Sequence, residues 1–209
     1  MIFDLDGTLV NSVDLIVASY QHAFRTVLGH EWDEAEIKTW IGQSLYGAFQ
    51  RACPEQADEL FETYTVWNQA HTPDMLTAYP GIPELMKDLV AAGIRIGTAT
   101  SKRQEPAQWA LDLGQMSDTV PLLVAHDDVD EHKPSPKPLL LAVQKLGCTP
   151  DDAVYVGDAA VDVQAARNAG MDSIAVTWGA GTLPDLEAAA PTALVDTVDA
   201  LRALLIPSA

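Results

Sequence analysis

Met1-Ile2-Phe3-Asp4-Leu5-Asp6-Gly7-Thr8-Leu9 sets two carboxylates two positions apart at the end of a short apolar run, with a glycine directly behind them. Alternate side chains of a strand share a face, so Asp4 and Asp6 point the same way where such a strand ends. Gly7 lets the backbone turn sharply beside whatever the carboxylates bind. Two close carboxylates repel unless a cation or a shared proton settles the charge, and no Arg or Lys follows until Arg25. An acidic strand end feeding a turn explains the stretch about as well as a site does. What decides the reading is whether matching groups recur along the chain.

They recur in three places. Arg95-Ile96-Gly97-Thr98-Ala99-Thr100-Ser101-Lys102 is a β-leaning run that ends in two hydroxyls and a cation. Such hydroxyls can donate to an anion's oxygens, or can serve as an ordinary helix N-cap. His132-Lys133-Pro134-Ser135-Pro136-Lys137-Pro138 places a lysine before a proline-stiffened helix start, where fixed φ lowers the entropy lost in aiming a side chain. Ala153-Val154-Tyr155-Val156-Gly157-Asp158 is a second buried-type strand ending in glycine and a carboxylate, with Asp162 four residues on. If a helix begins there, Asp162 lies one turn further over the same face. Each group stands at or just beyond the C-terminal end of an expected strand, the edge at which open parallel sheets bind ligands.

The set and its order resemble the haloacid dehalogenase superfamily of aspartate-nucleophile phosphotransferases. The resemblance rests on D-L-D-G-T-L at Asp4, the strand-end Thr100, Lys133 with its prolines, and G-D-A-A-V-D at Asp158 and Asp162. It extends to Tyr79-Pro80-Gly81 and to the run from Ala165 to Met171, and so covers nearly the whole chain. It implies that Asp4 attacks phosphorus to form an aspartyl-phosphate, and that Asp6 acts as acid and then base under a closed cap. Thr100, Ser101 and Lys133 would hold phosphate oxygens, helped by backbone N–H groups near Leu5, Asp6 and Ser101. Mg²⁺ is the implied cofactor, because a divalent cation must bridge an anionic ester and a carboxylate; its ligands would be Asp4, Asp158 and the backbone carbonyl of Asp6. Asp162 would orient Lys133 or a metal-bound water.

The segment Trp40-Ile41-Gly42-Gln43-Ser44-Leu45 resembles the substrate-specificity loop of capped phosphatases, and its flanks look closest to phosphoglycolate phosphatases. Gly42 and Gln43 are therefore candidate specificity residues, and Arg51 is a candidate partner for a substrate carboxylate or second phosphate. The expected activity is a Mg²⁺-dependent phosphatase of a small phosphorylated metabolite. A sugar phosphomutase or a pyrophosphatase on the same scaffold is the alternative; a non-catalytic binding module is weaker, since every required residue type is present. Ala159, Lys137 and Asn11 depart from the family pattern without touching a core catalytic role. Only three residues precede Asp4, fewer than the family's first strand implies, so a start upstream is expected.

Composition agrees with a soluble enzyme. The 209 residues, 48% of them hydrophobic, can bury a good core, and no long charge-free run suggests a membrane span. A net charge of −18 opposes binding to nucleic acid. No basic segment followed by an apolar stretch opens the chain, and Cys53 and Cys148 are isolated cysteines; a cytoplasmic location is expected. The five histidines have no metal-ligand spacing. Oligomeric state is not legible.

Two kinds of patterning divide the chain. Residues 14–78 carry helical periodicity, including Val13, Ile16, Val17, Tyr20, Phe24, Val27 and Leu28, with helices also expected around 33–40, 44–52 and 55–70 and breaks at Pro54 and Pro73. From Pro80 onward strands and helices alternate, with strands expected near 94–99, 121–125, 153–157, 173–177 and 193–195. The expected fold is α/β: a doubly wound, Rossmann-like parallel sheet formed by 1–13 and 79–209, with 14–78 inserted as an α-helical cap.

Overall fold

In the computed structural model, which describes residues 1–206, β1 (Ile2–Phe3) leads into an antiparallel ribbon of β2 (Val10–Asn11) and β3 (Thr77–Ala78). Four helices lie between the two ribbon strands: α1 (Val13–Leu28), α2 (Glu34–Trp40), α3 (Leu45–Ala52) and α4 (Ala57–Met75). After β3 helices and strands alternate: α5 (Ile82–Ala91), β4 (Gly97–Ala99), α6 (Gln104–Leu113), β5 (Leu122–Val124), α7 (Lys137–Leu146), β6 (Val154–Gly157), α8 (Ala160–Ala169), β7 (Asp172–Val176), α9 (Leu183–Ala189), β8 (Ala193–Val195) and α10 (Val198–Leu205).

The six-stranded sheet has the order β5-β4-β1-β6-β7-β8 and is parallel throughout. Strand order reverses at β1, whose Ile2 pairs with Gly97 on one side and Tyr155 on the other. Ligands bind outside the carboxyl ends of the strands at such a switch point. The period of two assigns the faces. Phe3 and Val156 pack with Leu85, Met86 and Leu89 of α5 and Leu111 of α6, whereas Ile2 and Tyr155 pack with Leu139 and Val143 of α7 and Ala165 and Ala166 of α8.

A separate apolar cluster holds the four inserted helices together, built on Tyr20, Phe24, Trp40, Phe49 and Tyr64. Tyr20 stands at its centre, with ring centroids 4.9 Å from Tyr64, 5.1 Å from Phe49 and 5.4 Å from Trp40. These tilted and edge-on contacts suit the ring quadrupoles.

Three expectations are corrected in detail. Pro73 does not break its helix; α4 runs on to Met75. In the last turn a proline forfeits one N–H bond while its fixed φ remains helical, which a helix end tolerates. The strand β3 lies at the end of the stretch expected to be helical, since a two-residue ribbon is too short to display alternation. The strand expected over 94–99 pairs only from Gly97, because its partner β1 begins at Ile2.

Phe49 is fully buried among the rings of Tyr20, Phe24 and Tyr64. Phe49→Ala is expected to lower the unfolding free energy by about 3–5 kcal/mol, measured by urea titration with tryptophan fluorescence. A loss below about 1 kcal/mol would mean that the cluster repacks without it.

Candidate active site

The chain leaves β1 at Asp4, whose N–H still donates to Val156 O on β6 (2.8 Å) and so holds Asp4 in register with that strand. The backbone then folds tightly: Leu5 O accepts from Leu9 N (2.9 Å) and Val10 N (3.0 Å). Gly7 sits at φ +77°, and a Cβ there would come within 2.2 Å of an Asp158 oxygen, so the turn needs glycine for both conformation and space. Thr8 Oγ1 donates to Asp158 Oδ1 (2.9 Å), and Ala180 N, in the loop after β7, donates to Asp158 Oδ2 (2.8 Å). Two loops and one strand end thus fix a single carboxylate.

Lys133 is the opposing charge. Its Nζ lies 2.6 Å from Asp162 Oδ1, 3.1 Å from Asp4 Oδ1 and 3.1 Å from the Tyr155 hydroxyl, with its side chain 1% exposed. Tyr155 in turn donates to Ala99 O at 2.8 Å. Asp162 Oδ2 accepts from Ala159 N (3.0 Å), so Asp162 both closes the first turn of α8 and holds the ammonium.

Burial dominates the electrostatics of this cluster. Burial lifts Asp4 well above the usual carboxylate range; Lys133 opposes the shift, and Asp162, Asp158 and Asp6 reinforce it. Asp158 is pushed up to about 7, by burial first and by Asp162 next. Burial alone would lower Lys133, yet the carboxylates of Asp162 and Asp4 carry it well above its ordinary value, so it stays an ammonium. Three buried carboxylates face one buried cation, an imbalance that favours a further positive charge.

A metal ion fits that demand. Asp4, Asp158 and Asp162 each offer a carboxylate oxygen within 4.8 Å of the others. Asp4 Oδ1 is buried with no hydrogen-bond partner, even though Lys133 Nζ approaches it to 3.1 Å. Hard oxygen donors are the ligands of small divalent cations. Asp158 and Asp162 each have both oxygens hydrogen-bonded, Asp158 by Thr8 and Ala180 N and Asp162 by Lys133 and Ala159 N, so Asp4 Oδ1 is the buried oxygen of the three residues left without a hydrogen-bond partner.

The other sequence-derived residues divide into those brought to the site and those turned elsewhere. Asp6, Thr100 and Ser101 line, with Asp4, the core end of a cavity of about 640 Å³ between the inserted helices and the sheet. Asp6 is not the isolated carboxyl that shielding by a cap alone would leave. Lys102 Nζ reaches its two oxygens at 3.0 and 3.1 Å, and Ser12 Oγ donates to it at 2.6 Å. Ser101 Oγ donates to Gly42 O at 2.7 Å, so its hydroxyl ties the sheet edge to the inserted helices and is not free for phosphate. Gly42 adopts φ +86°, and a Cβ there would lie 3.4–3.5 Å from Val161 and Ala159. Gln43 lines the cavity. Arg51 does not: it stands behind Gln43, donating to its Oε1 at 2.7 Å. Lys137 is also remote, paired with Asp130 (3.1 Å) and Glu131 (2.7 Å) at the surface.

Sequence reasoning passed over Lys102, Thr8, Ser12, Tyr155 and the loop Gly179-Ala180-Gly181. Lys102 and Thr8 were visible as motif members; the loop's only signal was its small residues after a strand. A Cβ at Gly179 would come within 2.2 Å of Asp158 Oδ2.

A family model described as haloacid dehalogenase-like hydrolase matches residues 1–176. The chain belongs to that family. Pyrophosphatase PpaX of Bacillus cereus (strain AH820) is 31% identical over 205 residues, spanning 98% of this chain and 95% of its own length. A solved hydrolase from Pseudomonas syringae superposes with a TM-score of 0.88 at 28% identity, covering 100% of this chain and 98% of its own. A protein of Lactobacillus delbrueckii subsp. bulgaricus assigned as a phosphoglycolate phosphatase gives 0.88 at 25% identity, with 99% and 98% covered. The chain is accordingly a hydrolase with the phosphatase fold of this family.

Gly179→Ala places a methyl group against Asp158 without changing any charged residue. It is expected to weaken divalent-metal binding by about 10-fold or more, measured by calorimetric titration, while the folded circular dichroism spectrum persists. Unchanged affinity would mean that Asp158 does not hold the ion.

Proposed function

We propose that this haloacid dehalogenase-like hydrolase is a Mg²⁺-dependent phosphatase acting on a small phosphorylated metabolite through an aspartyl-phosphate on Asp4. The observation that carries the reading is the buried Asp4 carboxylate at the cavity floor, with Oδ1 unbonded and Lys133 Nζ 3.1 Å away. Bound Mg²⁺, with Asp4 and Asp158 as its carboxylate ligands and the Asp6 carbonyl as a third, would supply the positive charge that lets an anionic ester approach.

The chain's own residues account for the rest. An Asp4 oxygen attacks phosphorus, and the bond from phosphorus to the leaving oxygen breaks. Asp6 gives that oxygen a proton, and Lys102 and Ser12, which grip Asp6, set the direction of its carboxyl. Lys133 and Thr100 offset charge on the phosphoryl oxygens, with the Ser101 backbone beside them. Water then attacks the phosphoryl group, returning its proton to Asp6 and releasing orthophosphate and free Asp4. Asp162 acts through Lys133 as a positioning residue.

Residues 14–78 serve in this reading as the cap over the site, with Gly42 and Gln43 in its substrate loop. The ribbon β2/β3 carries both crossings to the core, and the Ser101–Gly42 bond supports a closed arrangement. The names of relatives make phosphoglycolate and inorganic pyrophosphate the first substrates to assay. No helix among the described residues is long and apolar enough to cross a membrane; with two free cysteines, a cytoplasmic enzyme fits best.

Asp4→Asn keeps the side-chain volume and removes the nucleophile. Phosphate release should fall on the order of 10³-fold or more with an unchanged melting curve, and near-parental turnover would exclude Asp4 from the attack. EDTA should abolish phosphate release and added Mg²⁺ restore it; full activity after exhaustive chelation would remove the metal from the reaction.

A further inference from the structure

The cavity above Asp4 is larger and less cationic than a second anion requires. Its volume, about 640 Å³, falls within the roughly 300–1,000 Å³ typical of pockets for sizeable organic ligands. Pyrophosphate or phosphoglycolate would leave most of it unfilled. The wall contributed by the inserted helices carries the rings of Tyr20, Trp40, Tyr46, Phe61 and Tyr64. Tyr46 and Phe61 meet nearly at right angles, 84° with centroids 5.7 Å apart. Both rings are on the cavity lining, where a planar ligand can stack against an aromatic surface.

The charges on the lining are already committed. Lys102 is bonded to both oxygens of Asp6. Arg103 pairs with Asp127 at 3.2 Å and lies 5.9 Å from the Phe61 ring centroid. His126 is on the lining too, and burial, then His132, lowers it below its ordinary value, so it is neutral near pH 7. Arg51 stands outside, on Gln43. Glu105 adds negative charge to the lining from the core side. Among the described lining residues, then, every lysine or arginine has an acidic partner. A carboxylate or second phosphate beyond the reacting phosphoryl group would lose its hydration there without gaining a cation.

We infer that the preferred substrate is a phosphate monoester of an uncharged, ring-bearing alcohol of nucleoside or heterocycle size, stacked on the aromatic wall while Asp4 receives its phosphoryl group. This names the substrate class of the phosphatase proposed above and rests on that reading. The leaving alcohol departs with the proton from Asp6, and neither the alcohol nor the wall takes further part in the chemistry.

The test compares kcat/KM of the purified full chain with Mg²⁺, by orthophosphate release, for five donors. These are acetyl phosphate, 2-phosphoglycolate, inorganic pyrophosphate, uridine 5′-monophosphate and pyridoxine 5′-phosphate. At least one ring ester is expected to exceed both phosphoglycolate and pyrophosphate by about tenfold or more. Phe61→Leu retains apolar bulk and loses the ring; it should lower kcat/KM for that ester about threefold or more relative to acetyl phosphate. Phosphoglycolate or pyrophosphate matching both ring esters would overturn the inference, and acetyl phosphate hydrolysis would then leave the phosphatase reading standing. A proportionate loss on all donors in Phe61→Leu would overturn the stacking. Failure to hydrolyse any donor, acetyl phosphate included, would overturn inference and phosphatase reading together.

Discussion

Three carboxylates and one ammonium are buried together at the point where the strand order of the sheet reverses, and most of the local structure answers to them. Asp4, Asp158, Asp162 and Lys133 are each 5% exposed or less. Burying charge is costly unless it is paired and hydrogen-bonded, and here the partners are drawn from the whole chain. Thr8 comes from the first turn, Tyr155 from the strand β6, Ala159 N from the start of α8 and Ala180 N from the loop after β7. Space is equally constrained, since a Cβ at Gly7, Gly157 or Gly179 would collide with Asp158 or Asp162. The cluster still holds more negative than positive charge, which is the physical reason to place a cation there.

The chain's net charge of −18 sets this local arrangement against a repulsive background for any phosphate ester. Screening limits that repulsion to about 8 Å at physiological ionic strength, so the groups at the cavity decide binding. Lys133 stands within the buried cluster, against Asp4 and Asp162. Lys102 and Arg103 are spent on Asp6 and Asp127. The wall from the inserted helices carries the rings of Tyr20, Trp40, Tyr46, Phe61 and Tyr64 together with Gln43, Asn68 and Gln69.

The inserted helices meet the site along the cavity and through specific contacts at the sheet edge. Their own core of rings makes them a packed unit, and their entry and exit both pass through the two-residue strands of the ribbon. The tie from Ser101 to Gly42 and the approach of Arg103 to Phe61 join that unit to the sheet edge. Apolar packing joins them as well, since Leu15 of α1 is buried in the sheet core and Trp67 and Met75 of α4 pack against it.

The alternation of strand and helix after Pro80, the carboxylate spacing of Asp4 and Asp6, the strand-end Thr100, the proline-braced Lys133 and the pair Asp158 and Asp162 were all legible in one dimension. Strand ends and helix starts are local events, and local residue chemistry reports them. The five later strands were each located to within a few residues for that reason, whereas the ribbon β2/β3 was not, because its two strands are held by each other from either end of the four helices. The partners that only the tertiary structure assigned follow the same rule. Lys102 on Asp6 spans 96 positions and Thr8 on Asp158 spans 150; Arg51 points to Gln43 because the turn of α3 brings those two together. Sequence by itself determined which chemical groups stand at the strand ends. The packing of sheet against inserted helices decided which charges neutralise one another and what shape of cavity is left, since both depend on contacts between residues far apart in the chain.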